Sequence, residues 1–155
     1  MTVELTIKPD DLRSPEIIAL LNAHLTLMRS LSPPESVHAL DLNGLRGDNI
    51  TFWRAEWKGQ LMGCGALKEL EVATGEIKSM HTAEAHRGKG IAAALLTKAI
   101  MTARDRAYQG LFLETGSQPG FQPARSFYAR YGFVECAPFA DYTDDPNSYF
   151  MTLKL

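Results

Sequence analysis

The sequence predicts an α+β domain, a sheet wrapped by helices, and three observations carry that prediction. Three β-like runs, ITFWRAEW (residues 50–57), LMGCGALKEL (61–70) and GEIKSMHT (75–82), follow one another with only turn residues between them, as in an antiparallel meander. Two long stretches with helical patterning, residues 15–31 and the alanine- and leucine-rich run that starts near Gly88, separate β-like segments. The chain has 155 residues, 45% of them hydrophobic, which is enough for a sheet-and-helix core without metals or disulfides.

From the N-terminus, VELTIK (3–8) alternates apolar and polar residues like a half-buried strand. Ser14-Pro15-Glu16 then supplies an N-cap, a first-turn proline and a first-turn acid. A helix is expected from about Pro15 to Leu31, with Ile17, Ile18, Leu21, Leu25 and Met28 on its inner face. Ser32-Pro33-Pro34 ends it, because proline cannot continue a helix. ESVHALDLNGLRGDN (35–49) has only a short helical pattern among turn residues. Lys58-Gly59-Gln60 is expected to turn the first meander strand into the second. After the second long helix come a strand GLFLET (110–115), a short helix around residues 123–131 and a closing strand SYFMTLKL (148–155). The predicted order is β-α-(α)-β-β-β-α-β-α-β-β.

Charge and composition exclude several function classes. Sixteen Lys+Arg against eighteen Asp+Glu leave a net charge of -2, with no basic block to follow a phosphate backbone, which argues against nucleic acid. No apolar stretch approaches the ~20 residues that cross a bilayer. The opening MTVELTIKPDDLRSP lacks the basic-then-apolar layout of a signal peptide, so a cytoplasmic location and no membrane partner are expected. Cys64 and Cys136 stand alone and are expected to be buried thiols. His81 and His86 are five apart, and His24 and His38 lie elsewhere, so no ligand set and no metal are expected.

The most informative stretch is HRGKGIAAALL (86–96), in which two glycines and two cations precede a helical run. The first N–H groups of a helix lack intrahelical acceptors and carry the positive end of its dipole, so they can seat a phosphate. Gly88 and Gly90 would admit a ligand against bare backbone, and Arg87 and Lys89 would add charge. The GK[ST] ending of a P-loop and the three-glycine dinucleotide spacing are both missing. For a lone pair of glycines, a tight strand-to-helix turn is the competing reading.

Arg87-Gly88-Lys89-Gly90-Ile91-Ala92 resembles the Q/R-x-x-G-x-G/A signature of the GNAT superfamily of N-acetyltransferases. ARSFYARYGFVE (124–135) is similar to the family's A-x-x-x-Y-x-x-x-GF segment, and the element order fits along nearly the whole chain. Two departures are visible: Thr82-Ala83-Glu84 stands where members often have V-x-P, and Phe121-Gln122-Pro123 holds no counterpart of a common asparagine. The resemblance implies one domain over residues 1–155. Its sheet is mixed, mostly antiparallel and of about seven strands, flanked by helices, with the fourth and fifth strands splayed. Acetyl-CoA would be the cosubstrate, with its pantetheine arm in that gap. The backbone of Met80, His81 and Thr82 would bond the arm, and Arg87, Gly88, Lys89, Gly90, Ile91 and Ala92 would surround the pyrophosphate. The implied activity is transfer of acetyl from acetyl-CoA to a primary amine of a small molecule or peptide, by direct attack on the thioester. A non-catalytic acyl-CoA sensor is the alternative. Members often dimerise, so a homodimer is possible; Trp53 and Trp57 share one strand face, expected to be covered by a helix.

A lysine-like amine of pKa about 10.4 is neutral in only about one part per thousand near pH 7, so a base helps. The resemblance places Glu76 as candidate base, against the alternative of a solvent-facing residue after the Thr74-Gly75 turn. Glu114 is a second carboxylate, and a water chain stays open. Tyr128, four residues before Gly132, matches the family's tyrosine that protonates the departing thiolate, while Phe127 and Tyr131 are expected to pack. FADYTDDPNSYF (139–150), with Asp141, Asp144 and Asp145, could attract a cationic amine, or form a solvated turn. Residues 33–49 would form the opposite wall.

Overall fold

The structure, a computed structural model, describes residues 5–38 and 41–155. Val3 and Glu4 of the expected first strand, and Ala39 and Leu40 before the meander, lie outside the described residues. Among those described, the strands are β1 (Thr6–Pro9), β2 (Ile50–Trp57), β3 (Gln60–Glu71), β4 (Thr74–Thr82), β5 (Gly110–Gly116), β6 (Val134–Glu135) and β7 (Ser148–Lys154). They form one sheet in the order β1-β2-β3-β4-β5-β7-β6. The helices are α1 (Pro15–Leu31), α2 (Leu42–Leu45), α3 (Ile91–Asp105) and α4 (Gln122–Arg130). Neighbouring strands are antiparallel except β4 and β5, which run parallel because α3 carries the chain back across the sheet.

Helix α1 starts and stops where its sequence says. Ser14 Oγ accepts from the Ile17 amide at 3.3 Å, and the Ser32 amide donates to the Met28 carbonyl at 3.0 Å. Its buried stripe is Ile17, Leu20, Leu21 and His24, whereas Ile18, Leu25 and Met28 are half-exposed. The expected face is therefore rotated. The 3–4 spacing from Ile17 runs through 20, 21 and 24, and the far side of the helix borders a cavity instead of the core.

The meander follows the sequence closely. Lys58 and Gly59 both take positive φ (51° and 77°), the turn whose twist matches that of the flanking strands. Trp53 and Trp57 pack into one core on the face covered by α3, together with Met62, Leu95, Leu96 and Ala99. A second cluster, including Leu12, Ile17, Leu21, Phe52, Cys64 and Ala66, joins the opposite face to α1. The sheet is thus packed on both sides, and period-two alternation along β2 sends Phe52 to one side and Trp53 to the other. Cys64 is buried, as expected; Cys136 is half-exposed, because β6 beside it spans only two residues at the sheet edge.

Helix α3 begins at Ile91 and not near Gly88. Gly88 and Gly90 hold φ of 78° and 82°, so left-handed backbone continues up to the N-cap. Register between β4 and β5 extends over Thr74–Gly110, Gly75–Leu111 and Glu76–Phe112 and then stops. Beyond Glu76 the two strands part, giving the expected splay.

Candidate active site

The split is reinforced by a bulge in β4. Cys64 pairs with His81 and Ala66 with Lys78, so Ser79 and Met80 together oppose Gly65. Ser79 is pushed to φ 54°, a left-handed conformation that costs a non-glycine residue about 1–3 kcal/mol. A Cβ on Gly65 would lie 2.5 Å from Met80 Sδ, so any larger residue facing the bulge requires the Met80 side chain to shift. Ser79 Oγ is buried and has no hydrogen-bond partner among the described residues.

Two cavities lie back to back at the split. The outer one, about 480 Å³, is bordered by Met80, His81, Thr82, Arg87, Ala92 and Phe127. The inner one, about 140 Å³, is bordered by Ser36, Glu76, Lys78, Ser79 and Glu114. His24, Met80 and Tyr128 are among the residues that line both.

The outer cavity gathers most of the residues singled out for the cosubstrate. Met80, His81 and Thr82 supply the free end of β4, and Arg87 and Ala92 flank the start of α3. The helix start fits an anion: Gly90 ends the loop without a capping side chain, and the first amides of α3 have no intrahelical acceptor. Ile91 is buried in the core, so only its backbone is available. Lys89 is exposed, with Nζ 3.2 Å from His86 Nδ1. At Gly88 and Gly90 an added Cβ would meet nothing within 4 Å; positive φ is what requires glycine there.

Tyr128 faces both cavities from α4 and is 8% exposed. Burial pushes its phenol well above the ordinary value, so it holds its proton throughout the neutral range. Phe127 and Tyr131 pack against the core, as expected.

In the inner cavity the structure removes the alternative to Glu76 as candidate base. Glu76 is not solvent-facing; it is 2% exposed. Its Oε2 accepts from Lys78 Nζ at 3.1 Å and from the Tyr142 hydroxyl at 2.6 Å, while Lys78 Nζ also donates to Tyr142 Oη at 3.0 Å. Burial and the Glu76 carboxylate raise the Tyr142 phenol far above its usual range. Glu114 belongs to no such knot. Burial pushes its carboxyl up to about 7, with the nearby Ser148 hydroxyl and Lys78 opposing the rise and Glu76 and Asp145 adding to it.

One of the two stretches that the sequence determines least lines the inner cavity through Ser36, Val37 and His38, and the other is bound behind that wall. Ser36 Oγ donates to Asp145 Oδ2 at 2.6 Å, and the His38 ring packs edge-on against Tyr142 with centroids 5.1 Å apart. Asp145 also opens the expected turn at Asp145-Pro146-Asn147, with Oδ1 accepting from the Asn147 amide at 2.8 Å, so a turn residue doubles as a clasp. Asp141 and Asp144 stay exposed.

The structure also joins two histidines that the sequence kept apart. His24 Nδ1 and His81 Nδ1 are 3.2 Å apart, so one donates and the other accepts. Burial and the neighbouring His81 lower His24 to about 4; burial and Arg87 lower His81. The pair is held neutral at the junction of the cavities. Among the described residues no group of three or more His, Cys, Asp or Glu is arranged to hold a metal, and no helix is long and apolar enough to cross a membrane.

A parallel strand pair that splits at a bulge, with a glycine-initiated helix start on one side, defines an acyl-CoA-dependent transferase. The acetyltransferase (GNAT) family matches residues 17–133, and the chain belongs to that family. It is 55% identical over 150 residues to the uncharacterized N-acetyltransferase YsnE of Bacillus subtilis, covering 96% of this chain and 99% of that one. A candidate acyl-CoA N-acyltransferase from Klebsiella pneumoniae superposes with a TM-score of 0.79 at 29% identity, over 97% of each chain. A GNAT family acetyltransferase from Elizabethkingia anophelis, solved with acetyl-CoA bound, shares the fold with a TM-score of 0.68 at 21% identity, over 97% and 98% of the two chains.

Proposed function

We propose that the protein transfers the acetyl group of acetyl-CoA to a primary amine of a small molecule or peptide by direct attack on the thioester. The observation that carries this reading is the pair of back-to-back cavities with Tyr128 between them: a helix-start anion seat on one side and a partly protonated carboxyl on the other. The pyrophosphate would lie against Arg87 and the amides from Gly88 to Ala92, with the arm along Met80, His81 and Thr82. Arg87 and each charge-assisted amide bond contribute about 1.5–3 kcal/mol before ordering costs.

The amine enters from the inner cavity as an ammonium. Glu114, with its carboxyl near 7, takes one proton and leaves a neutral nucleophile. Glu76 is less available to an incoming amine, since its Oε2 already accepts from Lys78 and Tyr142. Glu76 instead holds Lys78 and Tyr142 in place as the wall beside Glu114. The amine nitrogen bonds to the carbonyl carbon, the carbon–sulfur bond breaks, and its electron pair goes to sulfur. Tyr128 donates a hydrogen bond to that sulfur. Its phenol is weakened as an acid by burial, so it stabilises the thiolate more readily than it surrenders the proton. The second amine proton ends on sulfur, giving the amide, CoA thiol and one proton released to solvent.

Calorimetric titration with CoA, acetyl-CoA and ATP tests the seat, and thiol release across a broad set of amines tests the transfer. Binding of CoA and acetyl-CoA but not ATP, with amine-dependent thiol release, is expected. Binding without release for any amine would leave the acyl-CoA sensor reading.

A further inference from the structure

We infer that the acceptor is a primary amine that carries no carboxylate next to its amino group. This rests on the acetyl-transfer reading above and concerns the charge that the inner cavity offers to whatever enters it. Among the described residues lining that cavity, Lys78 is the one lysine or arginine. It is already committed: Nζ lies 3.1 Å from Glu76 Oε2 and 3.0 Å from Tyr142 Oη, and its side chain is 7% exposed. Arg125, near the cavity end of β5, is committed too. It donates to the carbonyls of Gly116 at 2.6 Å and Gln118 at 3.1 Å, and to Gln122 Oε1 at 2.9 Å.

The negative groups are not balanced in the same way. The charge of Glu76 is matched by Lys78, but Glu114, which also lines the cavity, has no cation bonded to it among the described residues. The surplus in the cavity is negative. An ammonium entering it is attracted, and its proton has a destination. A carboxylate on the adjacent carbon would be carried in with the amine, lose its hydration and meet Glu114 with, among the described lining residues, no uncommitted lysine or arginine to offset it. Juxtaposed like charges at a dehydrated site discriminate strongly between partners.

Matched pairs that differ only by the carboxylate test this. Thiol release is measured with 3-methylbutylamine against leucine, ethanolamine against serine, and histamine against histidine, at fixed acetyl-CoA and pH. The α-amine of an amino acid is the less basic of each pair, so intrinsic availability of the neutral nucleophile favours the amino acid. Lower nucleophilicity and branching at the α-carbon offset that only modestly, so a preference for the amine well beyond tenfold comes from the cavity. About 100-fold higher kcat/KM for the amine is expected, and a ratio above tenfold in every pair that turns over sustains the inference. Any smaller ratio, or a preference for the amino acids, overturns it while acetyl transfer to amines stands. If no member of any pair releases thiol from a protein that binds acetyl-CoA in the calorimeter, the amine-transfer reading falls and this inference falls with it.

Discussion

The two cavities are built in opposite ways. The outer one is closed by α1 and α4, but its cosubstrate wall comes from one continuous stretch, β4 through the first turn of α3, so that wall depends on local backbone: the bulge at Ser79 and Met80, positive φ at Gly88 and Gly90, and a helix start. The inner one is held by contacts between distant parts of the chain. Tyr142 reaches Glu76 across 66 residues, and Ser36 reaches Asp145 across 109. A cosubstrate seat written locally can be damaged at a single backbone position, whereas a cavity assembled from afar depends on which charges its walls bring together.

The largest effect is expected where the inner cavity does its chemistry. Glu114→Gln keeps the shape and removes the base, so kcat should fall by about 10²–10⁴, checked by steady-state thiol release. In the wild type, rate should rise with pH through about 7 and then level, because only the carboxylate accepts a proton. A Glu114→Gln protein with unchanged kcat and the same acid limb would move the base elsewhere, with Glu76 next in line.

At the outer cavity, Gly90→Val forces a β-branched residue into φ 82° at the helix start. CoA affinity should drop about 100-fold by calorimetry while circular dichroism shows a folded protein. Unchanged affinity in a folded variant would falsify the helix-start seat.

Tyr128→Phe probes the boundary between the cavities. Packing with Phe127 and Phe133 should survive, and KM for acetyl-CoA should stay within about threefold. We expect kcat to fall about 100-fold, at the lower end of general-acid effects, when thiolate departure limits the rate. If turnover with a good acceptor matches wild type from about pH 6 to 9, a span around the thiol range, Tyr128 serves only as a wall.

The smallest effect concerns acid stability. His24 is lowered from 6.5 to about 4, so the unfolded chain binds a proton there more readily than the folded one. The stability this group lends is full above about 6.5 and is lost as pH falls toward 4. Between pH 7 and 5 the loss is about 2 kcal/mol at roughly 1.36 kcal/mol per unit. Glu114, raised to about 7, has the opposite sign and gains stability over the same fall. The readout is therefore the difference between wild type and His24→Leu in urea unfolding at the two pH values. Equal pH dependence in both proteins would rule out the buried neutral histidine as its source.

The contrast also accounts for what could be read from the sequence. Meander, caps and helix start depend on residues close in sequence, and their signals are periodicity, proline, glycine and turn chemistry; the splay joins strands far apart in the chain and came only from the family resemblance. The rotation of α1, which buried His24 in place of Leu25, came from packing that no window of α1 encodes. The His24–His81 pair spans 57 residues and had no local sign. Lys78 did carry one: Glu76 and Lys78 stand two apart on a strand, hence on one face, and opposite charges there are a candidate ion pair. Tyr142 as their third member could not be anticipated, because the loop that carries it has no period.

The position of β7 has a consequence for the order in which the molecule is made. Among the described residues β7 follows every other strand, yet it sits between β5 and β6, and β6 pairs with it alone. A nascent chain synthesised as far as α4 already contains the whole of β4 and α3, but the tyrosine and aspartate that finish the acceptor chamber, and the strand that anchors their loop, have yet to emerge. Contacts of such long sequence separation form late, since chain entropy must be lost before they reward it. Pulse-labelled hydrogen exchange during refolding should therefore protect amides of α3 before those of β7. The enzyme would acquire a place for its donor before it has a place for its acceptor.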